Sequence, residues 1–300
     1  MKNNKFVHAG LCTPQSKTPQ LPSPRKKTDL FQEYVLSKSL ASAVNIAIHL
    51  GKPLLVTGEP GTGKTALAWG IAKQLQLGEV LEFHCKSTSV AKDLLYTIDN
   101  VQRFHDANIQ KEHIDLYNYI TWQALGTAIR SSQPRVLLID EIDKAPRDFP
   151  NDLLNELDRM EFSVPELGKR VKFNAEQSHV IIITSNSERR LPKPFLRRCI
   201  YHHIPFPTEE ELRTIIKQHS KEIIDEDFLH LVIQRFLELR EVQGLSKKPA
   251  TDELISWYEM LISFSYTKHN LHKNIPLEHL PALSTLIKHH EDHLRLKSIS

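Results

Sequence analysis

The sequence predicts an α/β protein in which a parallel sheet, sandwiched by helices, is followed by a small all-helical domain. Three observations carry that expectation. The apolar runs at 53–57, 136–139 and 180–184 are short and continuous rather than alternating, as strands covered on both faces are. Helical patterns separate them, without hairpin spacing. Past Pro207 the strand signal stops and helical periodicity alone remains.

In chain order, residues 1–28 carry Pro14, Pro19, Pro22 and Pro24, and every charge before Asp29 is basic. This stretch reads as a disordered basic tail, either simply solvated or in contact with nucleic acid or an acidic partner. Residues 29–207 form the α/β domain. Leu36–Leu50 reads as a helix with Leu40, Ala43, Val44, Ala47 and Ile48 on one face. Pro53–Thr57 is a buried strand, followed by a glycine loop and a helix carrying Leu67, Ile71, Ala72 and Leu75. Strands are expected at Val80–His84, Val136–Ile139, Val180–Thr184 and Cys199–Ile204, and helices from about Leu116 to Arg130 and at Asp152–Met160. Glu161–Phe173 alternates like a hairpin. Residues 208–300 form the helical domain, with helices at Thr208–Ser220, Asp225–Arg240, Thr251–Phe264 and about Leu277–His293. Thr208 and Thr251 each precede acids, the pattern of a helix N-terminus.

Composition bounds the function only loosely. Hydrophobic residues make up 40%, charged residues 25%, and the net charge is +3, an ordinary balance that does not indicate nucleic acid. Cys12, Cys85 and Cys199 lie far apart with no metal or disulfide spacing, which fits a reducing, cytoplasmic setting. No apolar run approaches a membrane span.

The chemistry begins at Gly58-Glu59-Pro60-Gly61-Thr62-Gly63-Lys64-Thr65, which matches GxxxxGK[ST] between a buried strand and a helix. Glycines let the backbone wrap a phosphate with its N–H groups pointing inward, and the helix that continues through Ala66 adds its positive end. Lys64 supplies a charge to the β and γ phosphates, and Thr65 a hydroxyl to Mg2+. Three of only 10 glycines fall in this loop, so a chance match is remote.

Val136-Leu-Leu-Ile-Asp140-Glu141 is a strand ending in two carboxylates. Asp140 is suited to hold Mg2+ beside Thr65, and Glu141 to activate a water. The alternative is that these acids only mark where the strand surfaces. Asp143 is expected to cap the following turn. Ser185 and Asn186 follow the 180–184 strand; an amide there can bond a γ-phosphate and the attacking water, or simply shape a turn. Arg197 and Arg198 are either solvated surface or a source of positive charge for a neighbouring subunit's γ-phosphate.

The order GEPGTGKT, LLIDE, TSN, FLRRC and then a helical region resembles the AAA+ superfamily of ATPases, and in detail its MoxR-like, dynein-related branch, over about Asp29–Phe264. The resemblance implies a homo-oligomeric ring, commonly a hexamer, with ATP and Mg2+ at subunit junctions and the helical domain as a lid. It assigns Lys64 and Thr65 to Walker A, Asp140 and Glu141 to Walker B, Asn186 to sensor 1 and Arg198 to the arginine finger, with Arg197 as the neighbouring candidate. It also implies a hairpin facing the ring near 161–173. One position departs from the pattern: the lid helix opens Lys247-Lys-Pro-Ala-Thr251-Asp-Glu253, with no sensor-2 arginine, so that role is lost or falls to Lys247 or Lys248.

The leading functional expectation is an ATP-hydrolysing, chaperone-like remodelling factor for a partner protein, in a multi-gene defence or assembly system. The alternative is a nucleic-acid motor or loader, which needs a basic, aromatic-bearing face. A small-molecule kinase is disfavoured by Glu141, since phosphoryl transfer to an alcohol needs no water-activating acid beside the metal carboxylate. Tyr34 and Val35 lie where an adenine pocket would form, and His289 and His293 have the i, i+4 spacing of metal ligands or of a solvated helix.

Overall fold

A computed structural model describes residues 34–108, 115–168, 171–220 and 225–299. The basic tail expected at 1–28 lies outside the described residues. The chain divides into two compact units between Phe206 and Pro207.

The first unit is built on a five-stranded parallel sheet. Its strands are β1 (Leu54–Thr57), β2 (Leu81–His84), β5 (Val136–Asp140), β8 (Val180–Ser185) and β9 (Ile200–His203), in the order β2-β5-β8-β1-β9. Two short antiparallel pairs lie outside it: β3 (Tyr96–Ile98) with β4 (Ile120–Trp122), and β6 (Glu161–Ser163) with β7 (Lys172–Asn174). The helices are α1 (Lys38–Leu50), α2 (Lys64–Gln74), α3 (Asn100–Asn108), α4 (Ala124–Ile129), α5 (Phe149–Asp152), α6 (Leu154–Arg159) and α7 (Lys193–Leu196).

Alternate strand residues face two separate cores. Leu55, Leu137, Ile139, Ile181 and Ile183 pack with Leu125 and Ile129 of α4 and with Phe149 and Leu153. Leu54, Val56, Leu138 and Ile182 pack with α1 and α2. Burial on both faces is why these strands read as unbroken apolar runs. The Ser37 hydroxyl accepts the Leu40 N–H to start α1, and Gly51, at φ 60°, ends it. Leu40, Ala43, Val44 and Ala47 are buried as expected, whereas Ile48 is 39% exposed because it sits at the rim of the apolar stripe.

Two helices expected from periodicity are replaced. The stretch 116–130 is a 3-10 turn (Leu116–Tyr119), then β4, then α4. Ile120, Thr121 and Trp122 prefer extended backbone and pair with Ile98, Thr97 and Tyr96, a tertiary partner that overrides local periodicity. The stretch 277–293 is two 3-10 turns, at Leu277–His279 and Leu283–Thr285, and helix starts only at His290. Pro281 is the cause: it lacks an N–H and pushes Leu280 to ψ 134°, and Ala282 follows at φ 52°.

The second unit contains α8 (Glu209–His219), α9 (Glu226–Glu241), α10 (Thr251–Ser263) and α11 (His290–Ile299). Thr208 and Glu211 form a reciprocal capping box at the start of α8, with the Thr208 N–H donating to Glu211 at 2.8 Å. Phe228, Leu229, Val232, Phe236, Leu254, Trp257 and Leu261 fill its core, and the Trp257 indole N–H donates to Pro281 O at 2.7 Å. No helix among the described residues is long and apolar enough to cross a membrane.

Candidate nucleotide site

All five main strands end at one edge of the sheet, the edge where open α/β sheets bind ligands. β1 runs out at Thr57, and the loop Gly58–Gly63 carries the chain directly into α2, whose first residue is Lys64. Gly58 is dictated by space: a Cβ there would stand 2.5 Å from Ile204 O and 2.9 Å from Thr62 Oγ1. Gly63, at φ 84°, is dictated by conformation, and the Tyr34 ring lies against it. Tyr34 therefore packs beside the loop, while Val35 is 46% exposed. Glu59, Pro60 and Gly61 are exposed, Thr62 is buried with its hydroxyl on Glu59 O (2.9 Å), and Ala66 is half-buried in the first turn of α2.

Lys64 is buried, and its ammonium donates to Gly58 O (2.9 Å) and Glu59 O (2.8 Å), so the loop is wound around its own cation. Burial pushes the Lys64 pKa down, against the opposing charges of Asp140, Asp143, Glu141 and Glu59. A buried cation beside a backbone cradle at a helix N-terminus is an arrangement that anionic phosphate oxygens complete.

Asp140 is buried at the end of β5. Its Oδ1 accepts from the Thr65 hydroxyl at 3.0 Å and from the Thr184 hydroxyl at 2.6 Å, while Oδ2 lies 3.2 Å from His84 Nδ1. Strand register produces this meeting, since β2 pairs His84 with Asp140 and β8 runs alongside β5. Thr184 also accepts the Glu141 N–H at 2.8 Å. Two hydroxyls and a carboxylate form a hard-oxygen donor set that fits Mg2+.

Glu141 turns off the strand in the left-handed region, at φ 55° and ψ 51°. Asn186 Nδ2 donates to its Oε1 at 3.3 Å, and Lys144 donates to its Oε2 at 2.6 Å, which raises the Lys144 pKa. Asp143 does not cap its own turn, as the sequence suggested. Its buried carboxylate reaches across to the loop after β8, accepting from Asn186 N (3.4 Å) and Glu188 N (2.9 Å), because that loop leaves its N–H groups without a strand partner. The two strand tips are thereby tied together.

The arginines differ. Arg198 bonds the Asp158 carboxylate and Pro194 O (3.2 Å), whereas Arg197 is exposed and has no ion-pair partner among the described residues. In the second unit Lys247 is held by Glu253 at 2.7 Å, and Lys248 is exposed. Sequence reasoning missed Thr184, His84 and Lys144. Thr184 had a signal, a hydroxyl in the aliphatic run VIIIT, fully buried at 1% exposure. His84 and Lys144 had none, since only strand register and turn geometry bring them to the carboxylates.

Residues 53–199 match the family described as AAA domain (dynein-related subfamily). This segment is an AAA domain. Similar proteins include a Lon protease from Heliobacterium modesticaldum, 30% identical over 62% of this chain and 21% of that protein. DNA polymerase III subunit gamma from Buchnera aphidicola is 25% identical over 66% of this chain and 51% of its own length. The peroxisomal ATPase PEX6 of Arabidopsis thaliana is 25% identical over 67% of this chain and 21% of that protein. The chain thus spans between 21% and 51% of the length of these relatives.

Proposed function

We propose that this protein hydrolyses ATP with Mg2+, assembles as a homo-oligomeric ring of the MoxR-like type, and uses the cycle to remodel a partner protein. The observation that carries the reading is the convergence on Asp140 of the Thr65 and Thr184 hydroxyls, beside a phosphate loop wrapped on a buried Lys64. In this reading Gly58–Gly63 and Lys64 bind the phosphates. Thr65 and Asp140 would hold Mg2+, which would supply neutralising charge for the nucleotide's phosphates. Glu141 takes a proton from the attacking water, and Asn186 orients the carboxylate and the γ-phosphate. Arg198, or its exposed neighbour Arg197, supplies charge to the next subunit's site.

Lys64→Ala tests phosphate binding: ATP affinity measured by fluorescent-nucleotide titration should be lost, and unchanged affinity refutes the assignment of the loop. Glu141→Gln should bind ATP as tightly as the parent and hydrolyse it at least about 100-fold more slowly, since general-base help is worth 10²–10⁴. Equal loss of binding in both variants would make Glu141 structural. One relative is a DNA polymerase subunit, so ATPase stimulation by DNA would move the reading from protein remodelling to a nucleic-acid motor.

A further inference from the structure

Two glycines at the phosphate loop and its helix meet the same side chain. A Cβ on Gly70 would stand 2.6 Å from Tyr34 Cβ and 3.1 Å from its Cγ, and a Cβ on Gly63 would stand 3.2 Å from Tyr34 Cε2. Seven residues make nearly two helical turns, so both glycines lie on one side of α2. The tyrosine runs along that side with its ring tip toward the loop. Glycine is among the poorest residues for a helix interior, yet Gly70 lies well inside α2. Its close neighbour is Tyr34 Cβ, an atom fixed to the backbone that no rotamer change moves aside. Space for Tyr34 is the physical reason for a glycine at position 70.

Gly63 has a different reason, its φ of 84°. The permissive backbone that lets glycine adopt this angle also lets it leave, so Gly63 by itself does not hold the loop in one conformation. The ring beside it is well seated. Tyr34 packs on the apolar cluster shared by α1, β1 and α2, whereas the next residue, Val35, is largely exposed.

We propose that Tyr34 is a positioning residue that holds Gly63, and with it the phosphate loop, in the conformation that accepts phosphates; this rests on residues 58–64 being the phosphate site. The ring limits the backbone freedom of Gly63 before nucleotide arrives, so less order has to be imposed on binding. Restricting one backbone residue sets the expected effect at about 3- to 10-fold in affinity.

The test is equilibrium binding to the full chain, read by fluorescent-nucleotide titration with ATP and inorganic tripolyphosphate as competitors. Tyr34→Gly should weaken both by the same factor, because the ring acts on the loop that holds phosphates and not on the base. Tyr34→Phe keeps the ring and should bind as the parent does. Gly70→Ala displaces Tyr34 from two turns along the helix and should weaken binding likewise. In the Tyr34→Gly background Gly70→Ala should add nothing, since the three atoms nearest to the new methyl all belong to the Tyr34 side chain. Weakening of ATP alone makes Tyr34 a base contact and overturns the proposal. A lower thermal midpoint with unchanged affinity, as a merely structural ring would give, also overturns it, and so does a Gly70→Ala effect that persists without the tyrosine. Lys64→Ala separates the failures: unchanged affinity there removes the phosphate site itself, whereas its loss beside an unaffected Tyr34→Gly removes the clamp alone.

Discussion

The carboxyl edge of the main sheet and the junction of the two small hairpins are both places where segments distant in sequence meet, but they are made of opposite materials. At the sheet edge Thr57, Lys64, Asp140, Asp143, Thr184 and Ser185 are buried polar or charged groups. At the hairpin junction Tyr96, Trp122, Phe162 and Phe173 form a cluster of stacked, tilted and edge-on ring contacts with centroids 5.1–6.3 Å apart, and Arg130 lies 4.0 Å from the Trp122 ring centroid. The charged contact there is at the margin: Lys92 and the Tyr96 hydroxyl bond the Glu166 carboxyl, with Lys92 chiefly responsible for pulling it down to about 2. Buried charge costs folding free energy and is kept where chemistry needs it, whereas aromatic packing is favourable by itself. The edge is therefore read as a working site that rests on stability supplied elsewhere, and the junction as one of the places that supplies it.

The largest expected effect tests whether the edge is complete within one chain. Glu141→Gln and Arg198→Ala, each inactive, should recover part of the ATPase activity when mixed, because some junctions then pair an intact base with an intact arginine. In-trans arginines are worth up to about 10³–10⁵ in rate in GTPases, and less is expected here because Asn186 and Glu141 share one chain. Co-assembly without recovery excludes Arg198 as the finger, and the same experiment with Arg197→Ala then tests the exposed arginine. Failure of both in a protein that stays monomeric with ATP ends the ring proposal.

Next in size, Phe162→Ala should cost about 3 kcal/mol of unfolding free energy, as truncation of a buried aromatic does, with ATP affinity unchanged. A loss of affinity at equal stability would show that the junction belongs to the site after all, and the contrast would fail.

The smallest effect concerns pH. Burial, aided by Arg135, lowers the pKa of His179, whose Nδ1 accepts the Arg135 N–H at 3.2 Å at the opposite end of the sheet from the site. A lowered histidine pKa means that the unfolded chain binds the proton first. Stability is then full above the unfolded value of about 6.5 and falls as pH drops toward the folded one. His202 shifts the same way, through burial and His203. The thermal midpoint should decline as pH falls below about 6.5, and His179→Asn should flatten part of that slope. An unaltered slope assigns the acid sensitivity to other groups.

Much of the sheet edge was legible because its signals are local. GEPGTGKT needs its glycines for backbone reasons that neighbouring residues state, and LLIDE and IIITSN are strands whose polar ends follow immediately. The hairpin pair was half legible. Glu161–Phe173 alternates and does pair, but β3 and β4 escaped notice because the partner of Ile120–Trp122 lies more than twenty residues upstream. The helix expected at 277–293 failed at Pro281, a breaker that was visible in the sequence and outweighed there by periodicity.

The sequence by itself determined the strand-and-helix alternation, the phosphate loop, the paired carboxylates and the nearby amide, since each depends on backbone geometry and residue type within a few positions. Tertiary structure alone decided that Thr184 and His84 share Asp140, that Asp143 ties two strand tips together, and that Arg198 is engaged while Arg197 has no ion-pair partner among the described residues. Those contacts are set by the register of parallel strands, whose neighbours are joined by long crossovers, and no local pattern encodes which residues will lie side by side.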